Sequence, residues 1–126
     1  MREKEPIVLI VDDEEQVLNL LSAAMKKHGI LSKTAKTGEE ALSIIRKKDT
    51  IKLVLLDIFL PDYTGCELLK KILKLVPDMN VIMITGGADI ETAKKCLEIG
   101  AKDYIKKPFD MEYLQTSIIA ELISEL

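Results

Sequence analysis

Residues 53–57 read Leu-Val-Leu-Leu-Asp, four consecutive apolar residues closed by a single carboxylate. An unbroken apolar run of this length is typical of a strand buried on both faces of a parallel sheet. Asp57 would then lie where the strand ends. Ligands of open α/β sheets bind beside the carboxyl ends of the strands. This edge is therefore the first place to look for a functional site.

The same pattern recurs on both sides of this run. Four more apolar strands are predicted, at residues 7–11, 30–35, 81–84 and 103–105. Helical periodicity follows every strand, in segments that end near residue 28, open at 39, span 67–76, span about 89–99 and start near 110. Alternating strands and helices predict an α/β fold, a doubly wound five-stranded parallel sheet with helices on both faces.

Composition favours one soluble domain. The chain has 126 residues, 48% of them hydrophobic, and a net charge of -3, which gives no general affinity for nucleic acid. We expect a single domain over residues 1–126, with no output domain. No apolar run approaches the roughly 20 residues of a membrane span, and the N-terminus lacks the apolar core of a signal peptide. These features predict a cytoplasmic protein without membrane contact.

The two cysteines, Cys66 and Cys96, lie in helical patterns among apolar neighbours and lack CxxC spacing. In a reducing compartment we expect both to be buried free thiols, with a disulfide or a metal site as the poorer alternatives. The single histidine, His28, has no second histidine with which to form a zinc site.

Polar residues follow four of the predicted strands. They are Asp12 and Asp13, Asp57, Thr85 and Lys107. If the strand order is 2-1-3-4-5, the first and third strands flank the crevice at which such sheets bind ligands. Clustered carboxylates repel one another unless a cation neutralises them, and Mg²⁺ suits an all-oxygen site.

An aspartate can act as the nucleophile that accepts phosphorus, while a lysine and a threonine hydroxyl can contact the phosphoryl oxygens. The set therefore predicts metal-assisted phosphorylation of an aspartate. Asp12 can equally be a helix-start residue, and Thr85 a plain turn residue. Glu14 and Glu15 suit the start of a helix.

These residues also carry a resemblance to a known family. From Val8 to about Ile123, the chain resembles the receiver domain of bacterial two-component response regulators. The matching motifs are Val11-Asp12-Asp13-Glu14, Leu56-Asp57 with Leu60-Pro61 and Gly65, Thr85-Gly86, and Tyr104 with Lys107-Pro108. The resemblance implies a flavodoxin-like (βα)5 fold, and a sensor histidine kinase as the phosphodonor partner.

The resemblance also implies a role for each matching residue. Asp57 would be the phosphoacceptor and a metal ligand. Asp12 and Asp13 would form the acidic Mg²⁺ pocket, with the backbone carbonyl of Phe59 as a further ligand. Lys107 would pair with the phosphoryl group and precede a cis peptide.

Thr85 and Tyr104 would be the switch of such a domain. On phosphorylation the Thr85 hydroxyl would move toward the new oxygens, and Tyr104 would turn inward. The face built from the fourth helix, the fifth strand and the fifth helix would change, acting on an output domain, a downstream protein or a second copy of the chain. Tyr104 as a half-buried strand aromatic without a switching role stays an alternative.

Two further positions flank the expected path of the hydrolytic water. Phe59 is bulky and apolar, and Gly87 has no side chain. Our hypothesis is that neither assists dephosphorylation.

Three rival classes fit the residues less well. Aspartate-based phosphohydrolases carry an Asp-x-Asp pattern after the first strand. This chain reads Asp12-Asp13-Glu14 there, so its third residue is Glu and not Asp. A flavodoxin-like cofactor binder would need a phosphate-cradling loop there, which four acidic residues do not provide. A degenerate receiver that only binds partners would not need Asp57, Thr85 and Lys107 together. The chain is thus predicted to be a switch that modifies itself, not a turnover enzyme.

Overall fold

A computed structural model describes residues 5–48, 50–86 and 89–123 of the chain. Strands and helices alternate strictly within these residues. In chain order they are β1 Val8–Val11, α1 Glu15–Lys27, β2 Ser32–Ala35, α2 Gly38–Lys47, β3 Leu53–Asp57, α3 Gly65–Leu75, β4 Asn80–Thr85, α4 Ile90–Ile99, β5 Asp103–Lys106 and α5 Met111–Ile123. The predicted elements are all present, with boundaries shifted by one or two residues.

The five strands form one parallel sheet in the order β2-β1-β3-β4-β5. This confirms the predicted α/β fold and strand order. Every residue of β1, β3 and β4 is buried, because helices cover both faces of the sheet. The order reverses between β1 and β3, so their carboxyl ends flank the crevice of the doubly wound sheet.

Alternation along each strand divides the core into two parts. Leu55, Ile82 and Ile105 belong to the part that also contains buried residues of α1 and α5. Leu56 and Met83 belong to the part that contains residues of α2, α3 and α4. Because successive side chains of a strand point to opposite faces, each polar residue at a strand end is assigned to one face by its position.

Local chemistry explains where the helices begin. Thr64 precedes α3 and forms a capping box, in which its hydroxyl accepts from Glu67 N at 3.2 Å and the Glu67 carboxylate accepts from Thr64 N at 2.9 Å. Gly65 follows, and a Cβ there would lie 2.7 Å from the Ile58 Cα. The start of α3 is therefore fixed closely against the segment that follows Asp57.

The prediction of free thiols is wrong. Cys66, in the first turn of α3, and Cys96, in α4, form a disulfide with their Cα atoms 5.5 Å apart. The two cysteines are 30 residues apart in sequence, but α3 and α4 pack side by side on the same face of the sheet. The spacing of the two cysteines did not indicate this proximity, because α3 and α4 are brought together only by the chain passing through β4 between them.

None of the helices in the described part of the chain combines the length and the apolar character that crossing a membrane demands.

Candidate functional site

Strand register brings the first and third strand ends together. Val11 of β1 pairs with Leu56 of β3, so the next residues, Asp12 and Asp57, are neighbours at the edge of the sheet. Asp12 is fully buried and Asp57 is 7% exposed, whereas Asp13 is exposed. One carboxylate oxygen from each lies within 4.8 Å of the others. The predicted acidic cluster is therefore present.

Lys107 supplies the positive charge of this cluster. Its Nζ lies 3.1 Å from Asp12 Oδ2 and 3.9 Å from Asp57 Oδ2. The peptide bond between Lys107 and Pro108 is cis, as the resemblance to receiver domains implied. Burial alone would lower the pKa of Lys107, but its close contact with Asp12 and the negative charges of Asp57 and Asp12 outweigh burial and raise that pKa. The lysine is thus a fixed cation at this edge.

Glu14 is the site residue that the sequence analysis did not identify. It occupies the N-cap position of α1, but its side chain makes no capping hydrogen bond. Its carboxylate instead lies 3.3 Å from Lys107 Nζ. The capping role falls partly to Asp12, whose Oδ1 accepts from Glu14 N at 2.9 Å. An acidic residue is common at the start of a helix, so the sequence around Glu14 gives no sign of a functional role. The ion pair becomes visible only in the structure, because Glu14 and Lys107 are 93 residues apart.

Asp57 has a strongly perturbed acidity. Burial, followed by the negative charge of Asp12, raises its pKa from 3.8 to about 7, although Lys107 partly offsets both effects. Perturbed carboxyl groups of this kind are common at functional sites. A cation near Asp57 would favour the charged form of its carboxyl group, because opposite charges attract.

The donor set fits a divalent metal ion. Asp12 Oδ2 is buried and, within the described residues, no donor is oriented to make a hydrogen bond with it. The positive charge of Lys107 Nζ, 3.1 Å away, partly neutralises this oxygen. A buried carboxylate oxygen without a hydrogen bond is costly and is suited to a hard cation such as Mg²⁺.

The backbone of Phe59 is also available for a ligand. Phe59 pairs with Thr64 in an isolated antiparallel bridge, whose hydrogen bonds run from Leu60 N to Tyr63 O at 3.2 Å and from Gly65 N to Ile58 O. The bridge therefore does not use the carbonyl of Phe59. Across residues 5–48, 50–86 and 89–123, that carbonyl accepts no hydrogen bond. Its N–H approaches Asp57 Oδ1 at 3.4 Å.

An open cavity of about 290 Å³ adjoins the cluster. Asp13, Asp57 and Lys107 line it together with Phe59, Gly86 and Asp89. Phe59 is 56% exposed, and its predicted place beside the water path stays a prediction. Gly87, the other position predicted to flank the water path, lies outside the described residues.

Thr85 and Tyr104 belong to β4 and β5, the two strands that follow β3 in the sheet. Thr85 is fully buried at the end of β4, and its hydroxyl donates to Gly86 O at 2.8 Å. Tyr104 of β5 pairs in register with Met83, and its half-buried ring packs on the core beside α4. By strand alternation, Thr85 and Tyr104 share the face of the sheet covered by α3 and α4.

Comparison with known proteins agrees with this architecture. The response regulator receiver domain family matches residues 8–119. A putative NtrX-like response regulator of Rickettsia felis is 43% identical over 109 residues, which cover 85% of this chain and 23% of that protein. The chain thus spans about a quarter of the length of such curated relatives.

Solved structures show the same fold. The receiver domain of NtrX from Brucella abortus has a TM-score of 0.87 and 35% identity, covering 91% of this chain and 97% of that one. A CheY-like receiver domain protein from Methanospirillum hungatei has a TM-score of 0.88 and 36% identity, covering 96% of both chains. The match of most of the chain to one family, on the fold and acidic edge described above, shows that it belongs to the response regulator receiver domains.

Proposed function

We propose that this domain is a phosphorylation-controlled signalling switch, in which Asp57 accepts a phosphoryl group with the help of Mg²⁺. The observation that carries the proposal is the acidic cluster. Three carboxylates lie within 4.8 Å of one another and the amine of Lys107 lies beside two of them. Asp12, Asp13, Asp57 and the Phe59 carbonyl would hold the metal ion.

The chemistry is a displacement at phosphorus. A carboxylate oxygen of Asp57 forms a new P–O bond while the P–N bond of a phosphohistidine breaks, and the released imidazole nitrogen takes up a proton. Bound Mg²⁺ would neutralise charge on the carboxylates and on the phosphoryl oxygens. Lys107, which compensates Asp12 in the resting site, would also attract the transferred phosphoryl group.

Thr85 and Tyr104 are the proposed switch. Among the described residues, the Thr85 hydroxyl donates to the Gly86 carbonyl, and it would exchange this acceptor for a phosphoryl oxygen. That movement would open space on the face that it shares with Tyr104. A bias of a few kcal/mol between two arrangements is enough to shift such an equilibrium.

The face that would respond is formed by α4, β5 and α5. A surface cleft of about 430 Å³ lies on it, lined in part by Tyr104, Lys106 and Tyr113. We propose that an output domain, a downstream protein or a second copy of this chain contacts this face. The donor would be a cytoplasmic sensor histidine kinase. Residues 1–126 would act as one receiver domain that catalyses its own phosphorylation and dephosphorylation, without direct contact with nucleic acid.

The test is phosphorylation by a small phosphodonor. The chain is incubated with acetyl phosphate and Mg²⁺, and its intact mass is measured. We expect one added phosphoryl group, which is lost in Asp57→Asn and after treatment with a chelator. An unmodified chain under these conditions, and also with a purified histidine kinase, would contradict the proposal.

A further inference from the structure

The loop between β3 and α3 contacts the start of α2 through Asp62. Asp62 Oδ1 accepts from Gly38 N at 2.8 Å, and Oδ2 accepts from Glu39 N at 3.0 Å. These two N–H groups belong to the first turn of α2, where helices lack internal acceptors. One carboxylate of this loop is therefore bound to α2 by both of its oxygens.

Tyr63 makes a second contact with the same two residues. Its hydroxyl donates to Glu39 Oε1 at 2.6 Å. Its ring lies against Gly38 so closely that a Cβ at this position would overlap Tyr63 Cδ2. The contacts of Asp62 and Tyr63 with Gly38 and Glu39 together are called the α2 clasp below. The α2 clasp joins the loop and the helix by three hydrogen bonds and one ring contact.

The same loop carries the proposed metal ligand Phe59. The Phe59–Thr64 bridge encloses only four residues, and Leu60 N donates to Tyr63 O across it at 3.2 Å. Asp62 and Tyr63 form the tip of this closed turn, while Phe59 forms its base beside Asp57. Because the turn is short and hydrogen-bonded, a shift of its tip would move its base.

Capping of α2 does not by itself account for Asp62. Thr37 already occupies the N-cap position of α2, and its hydroxyl accepts from Glu40 N at 3.1 Å. This hydroxyl binds within its own helix, whereas Asp62 belongs to the loop between β3 and α3. Of these two capping side chains, Asp62 is the one that joins the loop to the helix.

We propose that Asp62 and Tyr63 are positioning residues for the metal site. By holding the tip of the loop on α2, the α2 clasp keeps the Phe59 carbonyl directed toward the pocket of Asp13 and Asp57. This inference rests on the proposed function, because it assumes that Mg²⁺ binds at the acidic cluster. Residues that orient a metal ligand without touching the ion influence affinity strongly.

The experiment compares Asp62→Ala with Thr37→Ala. Each chain is freed of metal and titrated with magnesium chloride in a calorimeter, and circular dichroism verifies folding. We expect Asp62→Ala to bind Mg²⁺ roughly tenfold more weakly, at the lower end of the range for ligand-supporting groups. Thr37→Ala should retain the wild-type affinity, although both variants lose a cap of α2. Equal affinities in all three chains, or equal losses in both variants, would overturn the inference.

Conservative variants keep the test interpretable if Asp62→Ala does not fold. Asp62→Asn retains one acceptor oxygen, and Tyr63→Phe retains the ring while removing the bond to Glu39. We expect the Mg²⁺ affinity of Asp62→Asn to lie between those of wild type and Asp62→Ala. Likewise, the affinity of Tyr63→Phe should lie between those of wild type and Tyr63→Ala. If both Asp62→Asn and Tyr63→Ala bound Mg²⁺ with wild-type affinity, the positioning role would be refuted but the proposed function would stand. A wild-type chain that neither binds Mg²⁺ nor accepts a phosphoryl group would refute the proposed function as well.

Discussion

At the scale of single residues, burial of Asp57 has a cost that depends on pH. Its pKa of about 7 in the folded chain exceeds the ordinary carboxyl value of 3.8. Between these two values the folded chain holds a proton that the unfolded chain has lost. Stability is therefore expected to fall as the pH rises through this range. Above about pH 7 the folded chain must hold the charged carboxylate beside Asp12.

This predicts a pH-dependent gain from Asp57→Asn. In chelator, the variant should be more stable than wild type by roughly 1–3 kcal/mol at pH 8, a figure reduced for solvent screening at this partly open site. The difference should shrink toward pH 4. Urea unfolding at several pH values measures it. A difference that does not vary with pH would contradict the raised pKa of Asp57.

A second residue-scale prediction concerns Gly65. A Cβ there would meet the Ile58 Cα at 2.7 Å, and backbone atoms cannot move aside as the end of a side chain can. We expect Gly65→Ala to destabilise the chain by about 1–3 kcal/mol through overpacking. Gly86→Ala is the control, because within the described part of the chain its Cβ would meet Asp89 Oδ2 at an ordinary 3.6 Å. Thermal unfolding that gives equal losses for both variants would contradict this account of Gly65.

At the scale of the elements, the disulfide joins α3 to α4. Linking Cys66 to Cys96 closes a loop of about 30 residues. The chain-entropy relation for that length gives about 3–4 kcal/mol of stabilisation. We expect a reducing agent to lower the midpoint of thermal unfolding of wild type, but not that of the Cys66→Ala/Cys96→Ala double variant. Mass spectrometry should find the untreated wild type lighter by two hydrogen atoms than its reduced form. Free thiols in the untreated chain would contradict the bond.

Sequence reasoning performed unevenly at this scale for a physical reason. The buried strands were predictable because short continuous apolar runs, such as residues 53–56, are typical of strands covered on both faces. Helix ends were predictable from local signals such as Gly29 and Gly100, which both adopt positive φ. The pairing of Cys66 with Cys96 depends on how two helices pack after a crossover. No local pattern in the chain indicates that proximity.

At the scale of the whole molecule, the acidic cluster was predictable because parallel strands bring their carboxyl ends to one edge. The sequence thus placed Asp12, Asp13, Asp57 and Lys107 together. It did not reveal the ion pair of Glu14 with Lys107 or the α2 clasp, because both are contacts between segments that are distant in the sequence. The presence of Glu14 was already explained by the preference for acidic residues at the start of a helix, so its position in the sequence indicated no further role.

The switch proposal predicts separable steps. Thr85→Ala should still accept a phosphoryl group, more slowly than wild type, because Asp57 and the acidic pocket remain. Phosphorylation should then leave the amide NMR signals of α4, β5 and α5 nearly unchanged, whereas Thr85→Ser, which keeps the hydroxyl, should respond like wild type. An undiminished response in Thr85→Ala would exclude Thr85 from the switch.

The central claim is that the phosphoryl group resides on Asp57 and on no other carboxylate of the cluster. Loss of labelling in Asp57→Asn alone does not prove this, since the substitution also removes a proposed metal ligand. The direct measurement is peptide mass mapping of the phosphorylated wild-type chain after borohydride, which reduces an acyl phosphate to an alcohol. The account predicts that the reduced residue is Asp57. Reduction at Asp12 or Asp13, with Asp57 unchanged, would contradict it.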